Sequence, residues 1–469
     1  MVKFPPNIPI LLDGRPVEKI TAFLFPNGGN DDPKKLRANE DKSFQGSIVL
    51  GMGFTFDDTN PEATPIAEMH RLIEQNPKNA EVIFPYIGGE EVNSSPTHAH
   101  HRYLINFGEM SEKEVRENYP VLMAIVEEKV KPDRLLLLKK GSFTQKKRGT
   151  FWWQFGGGSN PGLKRAIAGS DRVLVTGCSA TKYLGFPFLD SKMVFSHKLV
   201  VFALDTFSSF ATMKSRVHEV WAIFFSATLA ETLTYNPSDC FETFPFPEET
   251  LTPSPSPKAG EGDKNKTNEL TPNPPLTPPS PLVGEGGWGG EGLEAIGKTY
   301  YEYRAALMVR NNQGLTDTYN RFHDPHEDDP EILKLRELHS QIDRAVLDAY
   351  GWQDIETTCG FTLDYLDIEL EDLPTEIQDR MASGNLFFET PEEAVAFDVT
   401  VRTATTKKGK LPWRYKWPEA IHDEVLARLL ALNQERYDAE VRLGLHRKTT
   451  QSKSKNPPPE AHQATLGLS

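Results

Sequence analysis

Cysteine is scarce in this chain: there are three in 469 residues, Cys178, Cys240 and Cys359, far apart and odd in number. That excludes a disulfide framework, and the paired spacings of a zinc site are missing too. No run of about 18 apolar residues occurs, which excludes a membrane-spanning helix. The start, Met1 to Pro9, has no charged segment followed by an apolar one, so a secretion signal is not expected. These absences together predict a cytoplasmic protein. The glycine turn Gly156 to Gly162 is not followed by the Lys-Ser or Lys-Thr of a P-loop. No Pro-Asp…Asp/Glu-x-Lys nuclease pattern is found either.

What is present fits a protein with more than one core. The mass is 52.7 kDa, 38% of residues are hydrophobic and the mean hydropathy is -0.47. At that size two or three domains can each bury their own interior. The formal net charge of -14 is unevenly spread. Residues 301–469 carry most of the excess acid, whereas Lys129 to Arg148 contains Lys129, Lys131, Arg134, Lys139, Lys140, Lys146, Lys147 and Arg148 against a single Asp133. Screening confines exposed charges to about 8–10 Å of influence, so this stretch can attract phosphates whatever the total.

Composition and periodicity divide the chain into five segments. Residues 1–41 form a loop-rich leading segment with one strand expected over Ile20 to Phe25. Residues 42–250 interleave strands and helices without regular βαβ spacing, which predicts an α+β fold. Strands are expected over Ile48 to Phe56, Val82 to Ile87, Tyr103 to Phe107, Arg172 to Val175 and Leu199 to Leu204. Helices are expected over Pro65 to Asn76, Ser111 to Lys131 and His218 to Leu233, the second opened by the capping box of Ser111 and Glu114. A basic loop is expected over Lys139 to Arg148. Residues 251–292, where Leu251-Thr252-Pro253-Ser254-Pro255 nearly recurs as Leu276-Thr277-Pro278-Pro279-Ser280-Pro281, lack the apolar surface to offset about 1–2 kcal/mol per residue of ordering entropy. They are expected to be a disordered insert. Residues 293–445 read as a helical C-terminal domain, with an acidic irregular region after Trp352 and a last helix over Glu419 to Leu443. Residues 446–469 read as a disordered tail.

The dodecapeptide Asn236-Pro237-Ser238-Asp239-Cys240-Phe241-Glu242-Thr243-Phe244-Pro245-Phe246-Pro247 is the most telling segment. With Val217-His218-Glu219-Val220-Trp221-Ala222 and Tyr235, it resembles the end of the target recognition domain in MmeI-like (type IIL) and related adenine-specific DNA methyltransferases. Further blocks follow the same order: Ser43-Phe44-Gln45-Gly46-Ser47, Val82-Ile83-Phe84-Pro85-Tyr86-Ile87-Gly88-Gly89, Val130-Lys131-Pro132-Asp133-Arg134 and Phe151-Trp152-Trp153-Gln154. After the insert, Gly314-Leu315-Thr316-Asp317, Leu335-Arg336-Glu337-Leu338-His339 and Ala349-Tyr350-Gly351-Trp352 resemble the helical C-terminal region of the same enzymes. The resemblance implies a mixed recognition domain followed by a helical domain, gripping double-stranded DNA for a restriction-modification or phage-defence system.

Such enzymes methylate the exocyclic amine of adenine with S-adenosylmethionine, holding the flipped base in an Asn-Pro-Pro-aromatic motif. Here no glycine-rich turn after a strand suits that cofactor. The look-alikes Asn273-Pro274-Pro275-Leu276 and Asn456-Pro457-Pro458-Pro459 fall in the insert and the tail. The expectation is therefore a sequence-reading portion with no catalytic, cofactor-binding or metal residues of its own. A separately encoded methyltransferase, with a nuclease where the system has one, would be its partner, or the true start would lie upstream of Met1. The alternative is a stand-alone DNA-binding remnant or decoy.

The expected DNA-binding residues are Lys139, Lys140, Gln145, Lys146, Lys147, Arg148, Trp152, Trp153, Gln154, Asn160, Lys164 and Arg165. Cations suit phosphates, flat rings suit packing or stacking, and Gln, Asn and Arg suit base edges. His98-Ala99-His100-His101 reads as a surface loop rather than a metal site, and Asp324 to Glu331 as an acidic helix start.

Overall fold

The computed structural model describes residues 10–12, 15–17, 19–21, 31–158, 160–179, 181–229, 232–248, 290–364, 373–382, 386–405 and 410–446. The expected insert up to residue 289, the tail from 447 and most of the strand expected over Ile20 to Phe25 lie outside them. Both Asn-Pro-Pro look-alikes do as well.

The fold is α+β, with two four-stranded sheets side by side in the first half of the chain. In one, Ser43–Gln45, Leu199–Phe202, Arg172–Gly177 and Phe188–Asp190 pair antiparallel in that order. Val200 and Val201 face Thr176 and Val175 across the ladder, and the Leu199–Phe202 strand is buried along its whole length. A strand hydrophobic on both faces belongs in the middle of a sheet covered on both sides, which is where it sits. In the other sheet the order is Thr55–Phe56, Arg102–Ile105, Ile83–Ile87 and Val194–Phe195, the last pair parallel. Chain between the sheets is tight at Gly46. A Cβ there would lie 2.1 Å from the Ser196 carbonyl oxygen, so no larger residue fits.

Helix α1 (Ile66–Gln75) shares the core of this second sheet through Met69 and Leu72, whereas α2 (Gly89–Ser94) packs against the Arg172–Gly177 strand of the first. The helix expected over Ser111 to Lys131 is two, α3 (Glu112–Asn118) and α4 (Pro120–Lys129), because Pro120 lacks the N–H that would continue the first. The capping box of Ser111 and Glu114 is present, with the Ser111 amide donating to Glu114 at 2.7 Å. The strand expected over Ile48 to Phe56 shrinks to Thr55–Phe56. Leu50 and Gly51 both have positive φ (52° and 132°), and the chain turns there instead of extending.

Helices α5 (Lys131–Lys140), α6 (Phe143–Thr150) and α7 (Pro161–Ile167) come next. After the strands follow α8 (Phe207–Lys214), α9 (Arg216–Phe225) and the short α10 (Pro237–Cys240). The expected helix end at Leu233 is instead a hairpin, Ala227–Leu229 against Thr232–Thr234. Beyond the insert run α11 (Gly290–Asn311), α12 (Leu315–Phe322), α13 (Pro330–Ala349), α14 (Thr375–Ala382), α15 (Pro391–Thr405) and α16 (Glu419–Arg442). The region expected to be irregular after Trp352 holds α14, α15 and a three-stranded sheet, Phe387–Phe388, Gly360–Leu363 and Trp413–Lys416. That sheet has its own small core around Phe361, Phe388, Phe397 and Trp413.

The largest core crosses residue 250. It joins Val173, Val201 and Phe202 of the first sheet to Tyr300, Leu335, Ile342 and Leu429 of the C-terminal helices. A buried ion pair fixes the junction, Arg216 on α9 to Asp343 on α13 at 2.5 Å, and the Arg216 amide donates to the same carboxylate at 2.8 Å. Satisfying both oxygens is what makes so dry a pair tolerable.

Candidate nucleic-acid interface

The stretch expected to be a basic loop is a helical hairpin. Lys131 and Pro132 open α5, where the missing proline N–H costs nothing, and Ser142 caps α6 in a box with Gln145. The two helices touch at Gly149, where a Cβ would lie 2.7 Å from both the Arg134 carbonyl and the Leu138 side chain. Arg134, buried, donates to the Leu50 carbonyl at 2.6 Å and the Val49 carbonyl at 3.2 Å. The hairpin is thus anchored at its base and projects from the second sheet.

The twelve expected residues separate into groups. Lys139, Lys146, Lys147, Lys164 and Arg165 are exposed, and among the described residues none of them enters an ion pair. Lys140 ends α5, and its side chain is outside the description. Gln145 is exposed but its Oε1 accepts from the Ser142 amide at 2.8 Å, a capping contact. Arg148 Nε donates to the Gly156 carbonyl at 2.8 Å, and Gln154 Nε2 to the Met110 carbonyl at 3.3 Å. Asn160, left-handed at φ 49°, donates to the Gln45 carbonyl at 2.7 Å. These three hold backbone, so a base edge would have to compete for them.

The tryptophans need a correction. Trp152 is 4% and Trp153 7% exposed, and both lie in the core of the second sheet. Trp153 Nε1 donates to the Met110 carbonyl at 2.9 Å, and Lys131 Nζ lies 4.6 Å from the centre of the Trp152 ring. Rings already packed in this way present no free face for stacking on a base. The residue that sequence reasoning missed is Phe143, the first of α6, which is 87% exposed. Its signal was the Ser142–Gln145 capping box, which makes Phe143 a helix start rather than a loop residue.

A cavity of about 460 Å³ opens between α7 and the second sheet, lined by Ser47, Asn106, Asn160, Lys164 and Lys192 among others. It brings Asn160 and Lys164 together, whereas the hairpin cations do not line it. The first three glycines of the turn offer no free amide to an anion. The Gly156 amide donates to Val49, Gly157 to Ile48 and Gly158 to Phe155, each at 3.0 Å, so these N–H groups are occupied.

The histidine run is a structural knot. His98 is in contact with the Val92 carbonyl at 2.8 Å, and burial lowers its pKa to about 4. His101 lies 3.4 Å from Glu91, which also pairs with Arg102. Among the described residues no group of three or more His, Cys, Asp or Glu could hold a metal ion. In the acidic tract, Asp329 caps α13 through the Glu331 amide at 2.9 Å, and Arg321 binds Glu327 and Asp329, each at 2.7 Å.

The Phe-Pro-Phe-Pro ending is also structural. Phe241, Phe244 and Phe246 are buried, and the Tyr350 hydroxyl donates to the Pro245 carbonyl at 2.9 Å. Asn433 on α16 donates to the Thr243 carbonyl at 2.6 Å. His218 bridges the Met213 carbonyl and the Tyr235 hydroxyl, each at 3.0 Å, and burial lowers its pKa to about 3. The segment therefore threads the recognition sheets into the C-terminal helices.

No curated protein matches the chain. Among solved structures, that of the type IIL restriction-modification enzyme MmeI in complex with DNA is similar at 16% identity and a TM-score of 0.44. The match covers 81% of this chain and 39% of that one, so the chain spans about two-fifths of that enzyme's length. No helix among the described residues is long and apolar enough to cross a membrane. Residues 52–248 match the family model of the MmeI target recognition domain.

Proposed function

We propose that this chain is the sequence-reading portion of a site-specific DNA adenine-N6 methyltransferase in a restriction-modification or phage-defence system, acting in the cytoplasm on double-stranded DNA. The match of residues 52–248 to a target recognition domain carries the reading. The exposed cations Lys139, Lys146 and Lys147 on the hairpin, with Lys164 and Arg165 on α7, supply the phosphate contacts. Such contacts fix register and orientation, while sequence is read at base edges by polar side chains, for which Asn160 would have to give up its bond to Gln45. S-adenosylmethionine and the base-holding tetrapeptide belong to a methyltransferase domain that this reading places in a partner chain or in a longer form of this one.

The test has two stages. The purified chain is incubated with a randomised duplex library, and bound DNA is sequenced through successive rounds. Enrichment of one short sequence supports recognition, and an unenriched pool refutes it. The methyltransferase domain encoded nearest to this chain is then added with labelled S-adenosylmethionine. Label incorporated at adenine in the enriched sequence, and only with both polypeptides present, supports the reading. A stand-alone remnant would pass the first stage and fail the second.

A further inference from the structure

We propose that Phe143 is an apolar wedge that enters the base stack of bound DNA and opens one step, a role that rests on the DNA-recognition reading above. Among the described residues Phe143 is the most exposed of the large apolar side chains, at 87%. The backbone that carries it is tightly turned and capped. Gly141 makes a turn so tight that a Cβ there would lie 2.5 Å from the Leu137 carbonyl oxygen, and the Ser142 amide donates to Gln145 at 2.8 Å. The ring therefore stands at the tip of an anchored hairpin, as a group must if it is to separate stacked bases without folding away.

Its neighbours identify the surface it meets. Lys146 and Lys147 lie three and four residues after it on the same helix, and so share its face. Lys139 stands on the other arm, and α6 contains no acidic residue. Any partner that covers Phe143 must also cover these cations, and desolvating them unpaired is costly. Duplex DNA supplies a negative charge about every 1.7 Å of its axis together with flat apolar bases between the charged rails. Proteins that kink DNA combine these elements, an apolar side chain inserted between base steps and cations beside it. The opening of a step next to the recognised sequence would also ease extrusion of a base for a partner that modifies it.

A wedge prefers DNA in which stacking is already weakened. The full chain is titrated with two duplexes of about 30 base pairs and mixed sequence, long enough to span a specific site. One is fully paired and the other has a central A·A mismatch flanked by 2-aminopurine. The wild type is expected to bind the mismatched duplex roughly tenfold more tightly and to raise the 2-aminopurine fluorescence. Phe143→Ala should bind both duplexes alike, without the fluorescence change, and keep the wild-type salt dependence. Phe143→Trp should keep both the preference and the signal. Circular dichroism and thermal melting should show all three proteins equally folded, since the side chain is exposed. Retention of the preference and the signal by Phe143→Ala overturns the wedge while leaving DNA recognition standing. Loss of binding to a methyltransferase polypeptide in that variant, with DNA behaviour unchanged, makes the face a protein interface and also overturns it. A wild type that binds neither duplex removes the wedge and the recognition reading together.

Discussion

Replacing Lys139, Lys146 and Lys147 together by alanine separates cations that face a ligand from cations that hold the fold. All three are exposed, and among the described residues none has an ion-pair partner, so their removal should leave the thermal midpoint almost unchanged. Each phosphate contact contributes about 0.9 to the slope of log affinity against log salt, so the triple variant should lose about 2.7 from that slope. Between about 0.05 and 0.2 M salt this amounts to roughly a 40-fold smaller loss of affinity than in the wild type. Arg148→Ala is the control. Its guanidinium donates to the Gly156 carbonyl, and losing that bond should cost about 1–3 kcal/mol of stability while leaving the slope alone. The assay is fluorescence anisotropy on a labelled duplex across a series of salt concentrations, with urea melts of the same preparations. An unchanged slope in the folded triple variant would refute the hairpin as a phosphate-binding element. If Lys164→Ala with Arg165→Ala then lowered the slope by about 1.8, the interface would move to α7.

Three further outcomes are expected. Burial lowers the pKa of His98 to about 4 and of His218 to about 3, so both are neutral in the folded chain and protonate first in the unfolded one, near 6.5. Their contribution is complete above that value and is lost as pH falls through it towards the folded pKa values, about 2 kcal/mol each at pH 5. Urea midpoints at pH 7 and pH 5 check this, and equal stabilities would contradict it; carboxylates with depressed pKa values act only below about pH 4.5. Trp153→Phe leaves the Met110 carbonyl only the longer bond from Gln154 and should cost about 0.5–1.5 kcal/mol without changing DNA affinity once folded; a selective loss of affinity would restore this ring to the interface. Halving the tract 251–289 should change stability by no more than about 0.6 kcal/mol, the loop-closure difference, and a larger loss in a denaturant melt would show that the tract packs.

Local rules were readable from the sequence wherever a single residue decides the outcome. The Ser111 box, the α1 periodicity and the all-apolar strand at Leu199 to Phe202 were legible because neighbours a few residues apart carry the signal. The same kind of signal was present in the basic stretch, where Pro132 opens one helix and Ser142 with Gln145 opens another, yet the density of charge read as a loop. The acidic region after Trp352 failed for a different reason. Gly360–Leu363 pairs with Trp413–Lys416, some fifty positions away, and no local pattern reports a ladder of that span.

The binding residues show the limit most clearly. A cation's exposure follows from its own hydration cost, so Lys139, Lys146 and Lys147 fell on the surface as expected. An indole can serve either a core or a stacking platform, and only its neighbours decide. Trp152 and Trp153 share a core with Phe155 and Tyr119 in a sheet layer whose strands come from four separate stretches, which no spacing within Phe151 to Gln154 reports. Phe143 is the converse, an apolar residue that nothing in the fold covers. A side chain whose burial the fold does not provide, set at a capped helix start among exposed cations, points to a surface that arrives from outside.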